Sequence, residues 1–305
     1  MSEKIFPSYE NVILDEEIRA RVTVDDHYIN SLAFALDDYR DWYRDGGGDF
    51  AQPIAPSEGI AKDLVALFLE RYDPNAVVGL HQKEEIFFYN PAPRGSTLNF
   101  VGKYTDKYMK RGKGYTVFDT YAEDEFGTRI VRQISTEIMR VPDNVRLGSG
   151  EGKPTGDKVE PHWPAERAVA ARWNEGLEEG TPIAPVRKVA RQDQMTVFSQ
   201  GGKNYHNIHT DDNFAKEAGF PTTLAQGMQT TCWAAGMLSN LFGKSWLTGG
   251  WIKMIYLKPV FWKDVVTARA VIKSIDRDAR EVALDVWIEN EEGAITSVGW
   301  AKCRV

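Results

Sequence analysis

The chain has 305 residues, 42% hydrophobic and 27% charged, which fits two globular domains of about 150 residues each. A net charge of −7 argues against a broad nucleic-acid-binding surface, and two cysteines far apart, Cys232 and Cys303, argue against a disulfide framework or a zinc site. No signal peptide or membrane span is expected, so the sequence predicts a cytoplasmic protein that binds neither nucleic acid nor membrane.

The first half is predicted to contain two helices followed by antiparallel strands. After a polar lead-in, apolar residues spaced by three and four predict an amphipathic helix over 26–43, and a more apolar helix is predicted over 59–72. The period then changes to two. Strands are predicted over 82–89, 97–109, 114–124 and 129–140.

The middle of the chain changes character. Residues 147–154 are rich in glycine and cannot build a core, so residues 146–182 are predicted to be a linker, with a short helix around 164–174. The predicted domains are therefore an N-terminal domain over 1–145 and a C-terminal domain over 183–305.

The second half repeats this order of elements. A polar loop over 199–210 leads to a short helix over 211–218 and then to a longer helix over 227–243 that is rich in small residues. Strands are predicted over about 251–260, 263–275, 279–290 and 294–304. One long helix packed on a curved antiparallel sheet, twice, is an α+β fold, and the two sheets can pair edge to edge.

The loop before the longer helix has a specific pattern. Residues 199–211 read Ser-Gln-Gly-Gly-Lys-Asn-Tyr-His-Asn-Ile-His-Thr-Asp, followed by Gly-Phe-Pro at 219–221 and Leu-Ala-Gln-Gly-Met at 224–228. This resembles the MaoC-like, or R-specific enoyl-CoA hydratase, family, whose loop reads Ser-Gly-Asp-x-Asn-Pro-Ile-His-x-Asp, then Gly-Phe, then Ala-His-Gly-Met. Residues 259–264 and 108–127 also resemble segments of the family's double-hotdog members.

The resemblance implies a double hotdog that adds or removes water at the 2,3-position of an acyl-CoA or related acyl thioester. It implies no metal and no organic cofactor, and a homodimer or higher homo-oligomer. His209 matches the catalytic histidine. Gly227 matches the position whose backbone N–H holds the thioester oxygen, where a helix N-terminus favours developing negative charge. The first half has no such loop and is expected to provide space for the acyl group.

The loop departs from the family where the catalytic carboxylate is expected. Asn204 stands five residues before His209, in the place of the family's Asp. Asparagine can orient a water but cannot usefully accept its proton. His206 could supply a second titrating group, and Asp211 either contributes or caps the short helix. The remaining residues expected to contact substrate are Lys203, Gln226, Met228 and Asp211.

The sequence leaves further alternatives open. A basic run in the first half either attracts the phosphates of coenzyme A or is a solvated hairpin; it comprises Lys103, Lys107, Lys110, Arg111 and Lys113. The reaction could instead be thioester hydrolysis, which would use the same oxyanion contact. The missing carboxylate would also suit a non-catalytic acyl-CoA-binding member or subunit.

Overall fold

The computed structural model describes residues 4–48, 50–73, 79–110, 112–139, 158–199 and 206–305. The strands of the first half are β1 (Ile18–Thr23), β2 (Ile54–Ala55), β3 (Leu80–Phe88), β4 (Ala92–Pro93), β5 (Thr97–Lys110), β6 (Lys113–Glu123) and β7 (Arg129–Met139). Its helices are α1 (Asp26–Leu36), α2 (Asp41–Arg44) and α3 (Ser57–Ala66), and α3 continues into a 3₁₀ turn, Leu67–Glu70.

The second half has the same order of main elements. Its helices are α4 (Gln192–Phe198), α5 (Asp212–Glu217), α6 (Gly227–Phe242) and α7 (Lys244–Gly249). Its strands are β8 (Val186–Val189), β9 (Gly250–Tyr256), β10 (Val265–Asp276), β11 (Glu281–Asn290) and β12 (Ile295–Arg304).

Both halves contribute to one ten-stranded antiparallel sheet. Its order is β1-β5-β6-β7-β3-β9-β12-β11-β10-β8. The halves meet where β3 pairs with β9, with Ile86 opposite Ile252. Read outward from this seam, the two five-stranded halves have equivalent orders, so the predicted α+β double hotdog is confirmed. Pairing the two edges satisfies backbone groups that each half alone would leave exposed.

A central helix packs against each half of the sheet. Every residue of α6 except Gly227 and Asn240 is buried. The small side chains of Ala234 and Ala235, both fully buried, let neighbouring elements approach this helix closely. One hydrophobic core cluster runs through both halves. No helix in the described ranges is long and apolar enough to cross a membrane.

Several sequence-based expectations need correction. The predicted helix over 26–43 is interrupted because Asp37 adopts a left-handed conformation, with φ of 52°, which ends α1. No helix forms at 164–174; the backbone of Ala170 instead bridges Ile183, and the Trp173 N–H bonds the Leu241 carbonyl. Strand β1 and helices α4 and α7 were not predicted.

The domain boundaries stay a prediction. Residues 146–157 of the expected linker lie outside the described ranges. Residues 158–182 are described and include contacts with the second half, since the Gly180 N–H bonds the Ile272 carbonyl.

Candidate active site

A cavity of about 440 Å³ lies at the N-terminus of α6 and is lined by both halves of the chain. The second half contributes the expected residues His209, Gln226 and Gly227. The first half contributes His81 and Glu137, which the sequence did not single out.

Helix α4 and the strand-like segment before α6 position His209. Gln192, the first residue of α4, donates from its side-chain amide to the His209 carbonyl at 2.9 Å, and its oxygen accepts from the Thr223 hydroxyl at 2.5 Å. The Asn207 side-chain oxygen accepts from the His209 N–H at 2.8 Å. The backbone and ring of His209 are therefore held on several sides.

The hydrogen bonding of the His209 ring defines its chemistry. Nδ1 lies 2.7 Å from the Leu224 carbonyl oxygen, which can only accept, so Nδ1 carries a hydrogen. Burial lowers the pKa of His209 to about 4, although the Leu224 carbonyl acts in the opposite direction. The ring is therefore neutral at pH 7 and Nε2 has a free lone pair, which suits a general base.

His206 and Asp211 form a pair outside the cavity. Asp211 caps α5 by accepting from the N–H groups of Asn213 and Phe214 at 2.9 and 3.2 Å. His206 Nδ1 lies 3.1 Å from Asp211 Oδ2, and its side chain is 72% exposed. Neither residue is part of the described cavity wall, and the capping alternative weighed for Asp211 matches this geometry.

Gly227 begins α6 at the cavity. A Cβ on Gly227 would lie 2.8 Å from ring atoms of Tyr256, so the tyrosine packs directly on the glycine backbone. The side chain of Gln226 does not cap the helix; its amide donates to the Ser199 hydroxyl at 3.0 Å. Although the Gln229 N–H bonds the Gln226 carbonyl at 2.9 Å, the Gly227 N–H at the cavity is a candidate donor to an acceptor there.

Three other residues were expected at the site: Met228, Lys203 and Asn204. Met228 is fully buried in the core and does not line the cavity. Lys203 and Asn204 lie outside the described residues, so the role of Asn204 stays a prediction from the sequence.

The lysines of the basic run in the first half have different surroundings. Lys113 lines the cavity together with Lys258. Lys103 instead pairs with Asp15 at 2.8 Å, and Lys107 donates to the Val12 carbonyl at 3.1 Å. One lysine of the run is thus placed to meet an anionic ligand, while two tie down the N-terminal segment. Arg111 lies outside the described residues.

The residues that the sequence did not single out come from the first half and from β9. His81 Nε2 lies 2.8 Å from Glu84 Oε2, and Tyr256 packs edge-on against the His81 ring with centroids 5.2 Å apart. His81 and Glu84 are three residues apart on a strand, a spacing that normally puts side chains on opposite faces. No local pattern could have paired them. Within the described ranges, no three metal-binding side chains are grouped to hold an ion.

Comparisons with known proteins agree with this architecture. The family model described as MaoC like domain matches residues 174–291. No curated protein matches the chain.

Solved structures match almost the whole length. A structure described as a MaoC-like dehydratase is 16% identical, with a TM-score of 0.75 over 97% of this chain and 99% of that one. A Mycobacterium tuberculosis protein described as having a double hotdog fold is 11% identical, with a TM-score of 0.69 over 98% of each chain. The full-length peroxisomal multifunctional enzyme type 2 of Drosophila melanogaster is 16% identical, with a TM-score of 0.65 over 94% of this chain and 48% of that one. At these identities the likeness shows the fold alone. Together, the strand order and the solved structures show a double hotdog fold, and residues 174–291 of its second half match the model of the MaoC like domain.

Proposed function

We propose that the protein adds water to, or removes water from, the 2,3-position of an acyl-CoA or a related acyl thioester. The observation that carries this proposal is the placement of His209 and Gly227 on one cavity. His209 offers a neutral imidazole whose Nε2 can take a proton, and Gly227 offers the N-terminus of a buried helix.

In hydration, His209 Nε2 takes a proton from a water whose oxygen bonds to the β-carbon. The electron pair of the double bond moves toward the carbonyl oxygen, where the Gly227 N–H stabilises the enolate-like charge. Asn204, from the loop before His209, orients the water by hydrogen bonding. We assign no step to His206, because its ring is mostly exposed and paired with Asp211.

The two halves suit different parts of the substrate. Val65 and Phe68 of the first half give the cavity an apolar wall for the acyl group, and Lys113 and Lys258 offer positive charge to the phosphates of coenzyme A. The cytoplasmic location and the homodimer or higher oligomer remain predictions from the sequence.

Thioester hydrolysis is the second candidate, because the same base and oxyanion contact would direct water at the carbonyl carbon. Absence of the family's carboxylate favours it, since hydrolysis needs no proton delivered to the α-carbon. A non-catalytic acyl-CoA-binding protein is the third.

The test is loss of enoyl-thioester absorbance with crotonyl-CoA and a panel of longer, branched and cyclic enoyl-CoAs, with free thiol measured in parallel. We expect wild-type turnover that His209→Ala abolishes, and Asn204→Asp reports whether the asparagine is required. Thiol release without hydration would replace the proposal with hydrolysis. Binding without either reaction, and hydration only in Asn204→Asp, would make the natural protein a binding member.

A further inference from the structure

The first half contributes a buried histidine–carboxylate cluster to the cavity that the function above does not use. His81 and Glu137 line the cavity, and Glu84 lies directly behind His81 with no exposed surface. Glu84 Oε2 lies 2.8 Å from His81 Nε2, and burial raises the pKa of Glu84 although His81 opposes this. Burying a titratable group costs free energy, and such groups are often found at functional sites.

A β-bulge brings this cluster together. His81 pairs with Glu137 of β7, but the next pair is Lys83 with Thr136, so Gln82 is an extra residue in β3. The extra residue shifts the alternation and puts His81 on the same face of the sheet as Glu84. Bulges of this kind often re-aim a side chain beside an active site.

The neighbours of His81 determine where its protons lie. Nε2 is 2.8 Å from Glu84 Oε2 and 3.1 Å from the Lys83 carbonyl oxygen, both acceptors, so Nε2 carries a hydrogen. The exchangeable proton therefore belongs to Nδ1. Burial lowers the pKa of His81, but the charges of Glu84 and Glu137 outweigh burial, and the pKa is raised overall.

The cavity thus holds two histidines with opposite tendencies. Burial lowers the pKa of His209 and favours the neutral ring, whereas the neighbouring carboxylates raise the pKa of His81 and favour the protonated ring. Environments that push two pKa values apart are how an active site obtains an acid and a base at one pH. Burial raises the pKa of Tyr256 well above its ordinary value, so the tyrosine stays protonated and packs as a spacer.

His81 and Gly227 line the same cavity, with the Tyr256 ring between them. The His81 ring contacts Tyr256, and Tyr256 contacts the backbone of Gly227, where the thioester carbonyl is placed. The Tyr256 hydroxyl is fixed at 2.7 Å from the Thr231 hydroxyl of α6. One ring therefore separates His81 from the oxyanion contact. The α-carbon is the substrate atom bonded to that carbonyl.

We propose that His81, held by Glu84 on the wall supplied by the first half, exchanges the proton at the α-carbon of the acyl thioester. The proposal rests on the proposed function and names the residue that delivers the proton to the α-carbon, a step to which that function assigned no residue. In hydration, His209 takes a proton from water and the oxygen bonds to the β-carbon. The electron pair held as the enolate then forms the α C–H bond with the proton of His81 Nδ1. His209 ends protonated and His81 neutral; between turnovers His209 releases its proton to solvent and His81 takes one proton from solvent, which restores both residues.

The pH dependence follows from the groups that share this space. The titrating or charged groups that share this space with His81 are Glu84 on its own strand, Glu137 on β7, Tyr256 on β9, and Lys113, Lys258 and His209 elsewhere on the cavity wall. Hydration needs neutral His209 and protonated His81. Its rate therefore falls below about pH 4, where His209 gains a proton, and falls again above the raised pKa of His81.

The experiment separates this proposal from the proposed function. Deuterium exchange at the α-carbon of butyryl-CoA in D₂O, read by mass spectrometry, needs an acid–base group at that carbon but no addition at the β-carbon. We expect exchange with wild type and with His209→Gln, and about a hundredfold slower exchange with His81→Gln. His27→Gln, an exposed histidine on α1, should match wild type. The hydration rate of His81→Gln should lose its alkaline limb.

Glu84→Gln and Glu137→Gln keep the test decisive if His81→Gln folds poorly. We expect Glu84→Gln to move the alkaline limb to lower pH, because the carboxylate that favours protonated His81 is gone. The role of His81 would be overturned by an exchange rate equal to wild type in a folded His81→Gln variant. It would also be overturned if only Glu137→Gln lost exchange. Neither result would affect the proposed hydration. If the protein exchanges the α-proton but hydrates no enoyl-CoA, the proposed function is rejected. The exchange rate of His81→Gln then tests the role of His81 by itself.

Discussion

The two halves of this molecule share a strand order but differ at the start of their central helices. In the second half, α6 begins at Gly227, open to the cavity. In the first half, α3 begins with Ser57 and Glu58, both about 1% exposed, and the Ser57 hydroxyl and Glu58 Oε2 lack hydrogen-bond partners. Equivalent helix starts therefore form a candidate reaction site in one half and a closed polar interior in the other.

The closed helix start is occupied by the chain's own charges. Arg40 bonds Asp38 and donates to the Gly236 carbonyl of α6 at 3.3 Å, beside a cavity of about 210 Å³ that Glu58 also lines. Burial raises the pKa of Glu58 to about 7, although Arg40 opposes this. The segment before each helix decides the outcome: residues 38–43 seal α3, whereas the described residues 206–226 leave Gly227 on the cavity wall. The fold alone does not specify a site.

The largest expected difference between the halves is catalytic. His209→Ala should lower kcat for the best enoyl-CoA about a thousandfold, because the described residues of the second half place no other imidazole and no carboxylate on the cavity wall. Glu58→Gln should leave kcat unchanged, since Glu58 lines a separate cavity. Steady-state kinetics with both variants measure the contrast. Equal losses would mean that both helix starts serve one reaction.

The next largest expected effect is on the free energy of unfolding and comes from Glu58 in the first half. The pKa of Glu58 is raised by folding, so its protonated form favours the folded state. That contribution is present at low pH and is lost as pH rises from its ordinary value through about 7. Wild type should lose about 3 kcal/mol of unfolding free energy across this window relative to Glu58→Gln. Urea unfolding at pH 5 and pH 8 measures it, with exposed Glu291→Gln as control. Parallel pH dependence in wild type and Glu58→Gln would contradict it.

A smaller effect compares two glycines of the same helix. Gly227→Ala places a Cβ 2.8 Å from the Tyr256 ring, so either the ring or the helix start must move. We expect about tenfold lower kcat and a loss of ~1–2 kcal/mol of stability. Gly236→Ala meets nothing closer than Asp38 Oδ2 at 3.5 Å, and should be neutral or stabilising by up to about 1 kcal/mol. Thermal melts and kinetics of both variants test this; an unchanged kcat in Gly227→Ala would remove the oxyanion role.

The smallest effect concerns the basic run. Lys113→Ala should raise KM for a CoA thioester about threefold to fivefold at low salt, and the difference should shrink as salt is added. Lys103→Ala removes a lysine already paired with Asp15 and should not change KM. A salt-independent change in Lys113→Ala would point to packing rather than attraction of phosphate.

Local patterns were enough to predict most elements and part of the site. The period of two located β5, β6 and β7 to within about one residue of their ends, because side-chain alternation is a property of one strand. The resemblance of the loop to the MaoC-like family predicted His209 and Gly227 at one site, and both residues line the cavity. Helix α4 was missed although it holds His209 through Gln192, because seven residues carry too little periodicity to be recognised.

By itself, the sequence determined the α+β class and the twofold order of elements, since these depend on neighbours along the chain. Its resemblance to a known family added three residues that line the cavity, His209, Gln226 and Gly227. Only the tertiary structure decided the wall supplied by the first half. The bulge at Gln82 that turns His81 toward Glu84, and the packing of Tyr256 on Gly227, depend on strand pairing and on contacts between distant residues. Such contacts leave no spacing in the sequence, because loop closure and burial select them only when both halves are folded.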